Sequence, residues 1–328
     1  MPAHGVAIPR VDGVAKVSVG GGQGSGGASP RRGWPFSGST PDPPFHANGS
    51  SEVLSGFVAC LSGGRRTSAN CSGEQAKGRP VRSFIQNLPH PIANTLFMAR
   101  RLRTSFYEDG LFTTTNADFR KTEHFKRVYG AAKATGSFGR WNVRWRIHVL
   151  CWAANHASAI DGDFVECGVD HGGTAMAVIT HTDFGRLGRR FWLLDTFKGF
   201  DRSQLTPEEA SHAGYMDYSD CFERVQTNFA GMDFVRLVRG SVPDTLEKVT
   251  SEKIAYLHLD MNCTAPEIAA LEYFWPKMSP YGIVIMDDYG WPRHYQQKIG
   301  YDRFAQDRGL QILRLATGGQ AILIKPPE

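Results

Sequence analysis

Several things this sequence lacks narrow its class. No run in it is long enough to cross a membrane: the apolar patch VLSGFVACL at 53–61 falls well short of the ~20 residues a spanning helix needs. That patch also lies too deep in the chain to be an export signal, so no membrane partner is expected. None of the six cysteines, at 60, 71, 151, 167, 221 and 263, stands in a C-x-x-C pair. A zinc ribbon, a redox motif and a disulfide framework are all disfavoured, and reduced thiols in a cytoplasmic protein are the expectation. Net charge is scarce once the first 80 residues are set aside, because they carry +4 of the total +5. The remainder is near neutral and does not advertise a surface for nucleic acid. No internal repeat is visible, and the G-x-G-x-x-G spacing of dinucleotide binders is missing.

What is present divides unevenly. Residues 1–80 hold 16 of the 36 glycines and 8 of the 18 prolines, in runs such as GGGQGSGG and STPDPP. Such a stretch cannot bury enough apolar surface to offset its chain entropy. Residues 1–83 are therefore expected to be a disordered low-complexity tail, although an upstream extension from a misplaced start codon would look the same. From about residue 84 the pattern turns helical, and 84–160 is expected to form a helical cover. Within it, 116–136 starts at an Asn or Asp cap and stops at Gly136. The segment 142–158 sets Val143, Ile147, Leu150, Cys151 and Ala154 at helical spacing.

After Asp161 the rhythm becomes strand, turn, helix, and 161–328 is expected to be the catalytic domain. Strands are expected at 164–169, 189–195, 234–240, 254–260 and 282–288, with helices at 174–184, near 221–232, at 266–278 and at 295–309. The chain closes in a short-loop antiparallel pair around ATGG. Apolar strands alternating with helices imply an α/β fold with a doubly wound, mostly parallel sheet. The terminal pair adds an antiparallel strand.

In such a sheet the ligand binds beyond the carboxyl ends of the strands. Four of the five parallel strands carry an acid there: Glu166, Asp195, Asp260 and the pair Asp287–Asp288. Buried acids are costly unless paired or bound to a cation. In FVECGVDHGG the glycines are Gly168, Gly172 and Gly173, and Glu166 beside them would repel a pyrophosphate. A ligand with an ammonium or sulfonium centre suits the turn better. The helix N-terminus at Gly172–Thr174 still favours an anion such as an amino-acid carboxylate. A zwitterionic methionyl group joined to a nucleoside meets both demands. Asp195, 27 residues beyond Gly168, is placed to accept hydrogen bonds from a ribose diol. Asp260, Asp287 and Asp288 supply hard oxygen ligands on neighbouring strand ends, suited to Mg²⁺, Mn²⁺ or Ca²⁺.

The segments GDFVECGVDHGG, WLLDTFKGF, VRGSVPDTL and LHLDMNCTAPEIAALEYFWPKMSPYGIVIMDDYGW resemble class I S-adenosylmethionine-dependent methyltransferases, and most closely the macrocin O-methyltransferase family. The resemblance covers roughly residues 115–326. It implies a Rossmann-like seven-stranded sheet whose last strand is antiparallel. It also implies a cofactor pocket at Glu166, Gly168, Gly172, Gly173, Asp195 and Ser241, and a Mg²⁺ site at Asp260, Asp287 and Asp288. One position departs from the family pattern: Asn262 stands where a second acid, a general-base candidate, is often found. An amide takes no proton at neutral pH. The base is then open among His258, His171, His294 and a hydroxyl that loses its proton to solvent.

The activity expected is transfer of a methyl group to a hydroxyl of a small-molecule acceptor, a sugar or other diol, with Asp260 and Asp287 acting through the metal. The segment 201–220, with His212, Tyr215, Met216 and Tyr218, reads either as a lid or as an ordinary surface loop. The sequence admits two rival readings. A non-catalytic cofactor-binding homologue draws its support from Asn262. An NAD-dependent dehydrogenase accounts for Asp195 but not for Glu166 or the aspartate pair. A homodimer through the helical region is allowed by the sequence.

Overall fold

The computed structural model describes residues 105–213, 219–317 and 319–327. The tail, the patch at 53–61 and the start of the helical cover lie outside the described residues, as do Tyr215, Met216 and Tyr218.

The first described element differs from the helical expectation. Asp-Gly between short apolar segments is a strong hairpin signal, and Phe106–Glu108 (β1) pairs antiparallel with Leu111–Thr113 (β2) around Asp109–Gly110. Both turn residues have positive φ, 50° and 73°, which this dipeptide tolerates at low cost. The first helix also begins later than its expected start near Asn116. Asn116 instead accepts from the Asp118 N–H in a 3-10 turn at Asp118–Lys121. Helix α1 runs over Glu123–Ala134, capped by Thr122, whose hydroxyl accepts from the Phe125 N–H at 3.2 Å. Helix α2 covers Arg144–Ser158 and buries Ile147, Leu150, Cys151 and Ala154, the spacing read from the sequence.

The main sheet is built from β3 (Asp163–Cys167), β4 (Phe191–Asp195), β5 (Val235–Arg239), β6 (Ile254–Leu259), β7 (Met278–Met286), β8 (Leu313–Arg314) and β9 (Ala321–Ile324). Its order is β5-β4-β3-β6-β7-β9-β8. All neighbours among β3 to β7 pair in parallel, whereas β9 runs antiparallel to both β7 and β8. The sheet is thus mostly parallel, seven-stranded, with the last strand reversed. Helices α3 (Gly173–Thr182), α4 (Pro207–Ala213), α5 (Phe222–Asn228), α6 (Thr264–Phe274) and α7 (Tyr295–Asp307) complete the fold.

Side chains alternate across a strand with period two, and that parity sorts the core into two layers. Phe164, Tyr256, Ile283 and Ile285 pack under α1, α2 and α3. Val165, Leu257, Leu259 and Val284 pack on the other side against Leu271, Phe274, Tyr301 and Phe304 of α6 and α7. Every residue of β6 is buried, as a central parallel strand covered on both faces requires. Each large apolar side chain so buried stabilises the fold by about 1.5–3 kcal/mol.

From β3 the chain steps outward through β4 to β5, then returns to β6 and steps the other way to β7. The order therefore reverses between β3 and β6, which is where open α/β sheets bind ligands. The two strand ends meet closely. A Cβ on Gly168 would stand 2.0 Å from the Asp260 carbonyl oxygen, and the residue has φ of 89°. Only glycine fits both constraints.

Candidate active site

The turn after β3 is held from the neighbouring strand. The Asp195 carboxylate accepts from the N–H groups of Val169 (2.6 Å), Asp170 (3.0 Å) and Phe197 (2.7 Å). It thus ties the end of β4 to the β3–α3 turn. Gly172 and Gly173 are packed rather than open. A Cβ on Gly172 would meet the Phe229 ring at 2.4 Å, and one on Gly173 the Ser137 Cβ at 2.6 Å. The Gly173 N–H at the start of α3 donates to Ser137 Oγ at 3.0 Å. Ser241, just past β5, donates to Asp201 at 2.7 Å, and Gln204 Nε2 reaches both Ser241 and the Val242 carbonyl. Asp195, Gly172, Gly173 and Ser241 thus lie at the turns that follow β3, β4 and β5, held by side-chain hydrogen bonds and close packing.

Glu166 has a different partner from the ligand cation expected of it. It is fully buried, and register sets it opposite His258 on β6. Its Oε1 accepts from Thr174 Oγ1 at 2.7 Å, and its Oε2 lies 3.2 Å from His258 Nδ1, an ion-pair distance without hydrogen-bond alignment. Parity puts it there: like Phe164 two residues earlier, Glu166 faces the layer covered by α2 and α3.

The same parity gathers more. His258 pairs in register with Ile285, and Asp287 follows two residues later on the same face. Asp260 follows His258 by two. Ligand atoms of His258, Asp260 and Asp287 accordingly fall within 4.8 Å of one another. His258 Nε2 lies 3.3 Å from Asp287 Oδ1, which also accepts from Gln320 Nε2 at 2.7 Å. Asp287 Oδ2 accepts from Arg146 of α2, whose other nitrogens bond Asp109 at the hairpin turn at 2.9 and 3.1 Å. Burial would lower the His258 pKa, but Asp287 and Glu166 outweigh it and push it up to about 10. Burial would likewise raise Asp287, but Arg146 and His258 hold it below the ordinary carboxylate value. A pKa raised by two flanking carboxylates makes His258 a poor proton acceptor near neutral pH.

Asp260 and Asp288 lack such compensation. Burial, then the charges of Asp287 and Asp288, pushes Asp260 well above the usual range. Asp288 has the opposite parity to Asp287; it is buried, its Oδ2 has no hydrogen-bond partner, and burial raises its pKa. His294, on the 3-10 turn after β7, brings Nδ1 to 4.0 Å from that oxygen. Asn262 adopts φ of 55° and donates from Nδ2 to Asp260 Oδ1 at 3.4 Å. An aspartate there would repel that oxygen instead. His171 sits by the β3–α3 turn, away from this cluster, grouped with Asp170 and Cys221.

The donor chemistry fits a divalent cation. On the α2 face the carboxyl groups of Asp109, Glu166, Asp260 and Asp287 outnumber the basic groups of Arg146 and His258. A divalent ion there would offset the repulsion that raises Asp260, and Asp288, the residue after Asp287, has an unpartnered buried oxygen. Nearby, Asp109, Gly110, Trp291, Pro292, Arg314 and Gly319 line a cleft of about 450 Å³.

The sequence model of the family described as Macrocin-O-methyltransferase (TylF) matches residues 141–312, more than half of the chain and all five parallel strands. The chain belongs to the macrocin O-methyltransferase family. Among curated relatives, the 8-demethyl-8-(2,3-dimethoxy-alpha-L-rhamnosyl)-tetracenomycin-C 4'-O-methyltransferase of Streptomyces olivaceus is 33% identical over 144 residues, 40% of this chain and 55% of that protein. The Mycinamicin III 3''-O-methyltransferase of Micromonospora griseorubida is 28% identical over 146 residues, 40% of this chain and 56% of that protein. The chain thus matches about half the length of these relatives. The solved O-methyltransferase NovP is similar over 56% of this chain and 80% of its own, at 21% identity and a TM-score of 0.49. Among the described residues of this macrocin O-methyltransferase family member, no helix is long and apolar enough to cross a membrane, and Cys151, Cys167, Cys221 and Cys263 are free and buried.

Three site residues in this family member escaped sequence reading. Glu267 is buried and accepts from the Met261 and Asn262 N–H groups (2.8 and 3.0 Å) and from Tyr301 Oη (2.6 Å), so it shapes the loop after Asp260. Burial and Asp288 push its pKa up to about 8. Glu209 forms a capping box with Thr206 (2.9 and 3.2 Å) and accepts from the Thr264 N–H at the start of α6. The T-x-x-E spacing was a legible signal for it. Arg146 gave a fainter one: a cation in the first turn of a helix opposes the helix dipole, which calls for a compensating partner.

Proposed function

We propose that this chain is an S-adenosylmethionine-dependent O-methyltransferase that acts on a hydroxyl of a small molecule, a sugar or other diol, with a divalent cation such as Mg²⁺ at Asp260, Asp287 and Asp288. The carrying observation is the convergence of undercompensated carboxylates at the ends of β6 and β7, beside the switch-point turn of a family member. S-adenosylmethionine supplies a methyl already activated on a sulfonium. The cation, when bound, would supply the positive charge that stabilises an acceptor oxygen as its proton leaves.

The chain's own residues have separable tasks. Asp195 fixes the β3–α3 turn and borders the crevice where a ribose diol would lie. Gly168 lets the β3 turn and the Asp260 backbone approach, which fixes donor and acceptor sites at short range. The Glu166–His258–Asp287 line holds Asp287 in place from below. His294 is the remaining histidine beside the carboxylates, half-buried and 4.0 Å from Asp288, and we assign it the proton of the acceptor hydroxyl. The cleft beside Trp291 is the acceptor's entry.

The packing of Gly172 against the Phe229 ring and the absence of the G-x-G-x-x-G spacing weigh against the dehydrogenase reading. The test is methyl transfer from S-adenosylmethionine to a panel of glycosides and diols, before and after exhaustive chelation. Activity that requires and recovers with Mg²⁺ supports the proposal. Full activity after chelation refutes the metal, and cofactor binding without turnover on any acceptor favours a non-catalytic homologue.

A further inference from the structure

Arg146 stands where its charge is hardest to accommodate. It lies in the first turn of α2, at the positive end of the helix dipole, with its side chain 16% exposed. Burial disfavours its charge, yet Asp287, Asp109 and Asp260 together hold its pKa above the usual arginine range. Its guanidinium is forked between two carboxylates from different parts of the chain. One belongs to the end of β7, the other to the hairpin turn. Asp287, whose Oδ2 it occupies, is one of the three residues whose ligand atoms close within 4.8 Å. A neighbouring residue, Arg144, pairs with Glu108 of the same hairpin and carries no such contact to the strand ends.

We infer that Arg146 is an internal placeholder for the divalent cation: it pairs with Asp287 when no ion is bound, and it withdraws onto Asp109 when an ion takes that oxygen. This rests on the divalent-ion reading of the carboxylate cluster. Two consequences follow from the fork. Without the ion, the buried Asp287 keeps a charged partner, so the empty site does not leave a bare carboxylate in the interior. With the ion, Asp109 gives the displaced guanidinium somewhere to go. Ion affinity is therefore set by the difference between two pairings of Arg146, and the hairpin reports on the metal site through it.

The test uses Mn²⁺ alone on the full chain, read by the electron paramagnetic resonance signal of free Mn²⁺ and by calorimetry. Arg146→Met removes the competitor and should tighten Mn²⁺ about tenfold to a hundredfold, the scale of a hydrogen bond between charged groups. Asp109→Asn, at a turn whose φ of 50° asparagine tolerates, leaves Arg146 on Asp287 alone and should weaken Mn²⁺ about tenfold. In the Arg146→Met background, Asp109→Asn should have almost no effect, because Asp109 acts through Arg146. A bare long-range charge effect would persist there. Should Arg146→Met fail to fold, Arg146→Gln and the Asp109→Asn comparison carry the same signs. If Mn²⁺ binds the wild type and these variants leave its affinity unchanged or reverse the signs, the placeholder role is overturned while the metal reading stands. If no variant binds Mn²⁺, both are overturned.

Discussion

His258 lies inside β6 with no exposure, between Glu166 at 3.2 Å and Asp287 at 3.3 Å. Its folded pKa is raised from 6.5 to about 10. A raised pKa means that the folded protein holds a proton the unfolded chain has released. The associated stability is complete below the unfolded value of 6.5, declines as pH rises, and is gone above about 10. In that window the slope is about 1.4 kcal/mol per pH unit, so about 5 kcal/mol is at stake in the ion-free protein. The perturbation is pH itself, with chelator present, and the control is His258→Asn, which removes the titrating group. Urea denaturation from pH 6 to pH 10 should show the wild type losing several kcal/mol more than the variant. Nitrogen NMR of the ring should find both positions protonated at pH 8. A wild-type profile parallel to that of His258→Asn, or a neutral ring at pH 8, would refute the buried-cation reasoning.

Gly168→Ala should destabilise by more than about 4 kcal/mol or prevent folding, far beyond the ~1 kcal/mol of an ordinary glycine replacement, because its Cβ would stand 2.0 Å from the Asp260 carbonyl oxygen at φ of 89°; thermal denaturation decides it. Glu267→Ala removes the acceptor for three hydrogen bonds and should cost about 3 kcal/mol while weakening Mn²⁺ binding through the loop after Asp260. Tyr301→Phe, which removes one of those bonds, should cost only about 1 kcal/mol. Asp195→Ala strips three backbone N–H groups of their acceptor. It should weaken S-adenosylmethionine at least about tenfold in calorimetry while leaving Mn²⁺ affinity near that of the wild type.

The sheet was legible because its signals are local: apolar runs closed by acids, with helices between, and a reversed pair at the end. The carboxylate convergence was legible too, since strand ends share one edge. The partners of those acids were less so. Parity could have told that Glu166, His258, Asp260 and Asp287 share the α2 face and that Asp288 does not, but it needed the β3–β6–β7 register to be joined up. The hairpin at Asp109–Gly110 has a local signal in its Asp-Gly turn, but it is short and lies in a stretch dominated by helical periodicity. Arg146 and Gln320 reach Asp287 from 141 and 33 residues away. No local pattern predicts such contacts, because they are set by how α2 and β9 pack against the sheet.

Asn262 changes meaning in this setting. Its amide donates to Asp260, an oxygen otherwise raised by like charges. The departure from the family pattern thus gives the carboxylate cluster a donor, and in the proposed function His294 takes the proton-accepting role. His294→Ala should therefore lower turnover while sparing cofactor affinity, and a steady-state comparison of kcat with S-adenosylmethionine Kd checks it.

The most direct measurement is calorimetry of S-adenosylmethionine and of NAD against the full chain, with and without Mg²⁺. Binding of S-adenosylmethionine, none of NAD, and a separate Mg²⁺ isotherm that Asp260→Asn abolishes are the expected results. Binding of NAD without S-adenosylmethionine would contradict the methyltransferase reading at its root.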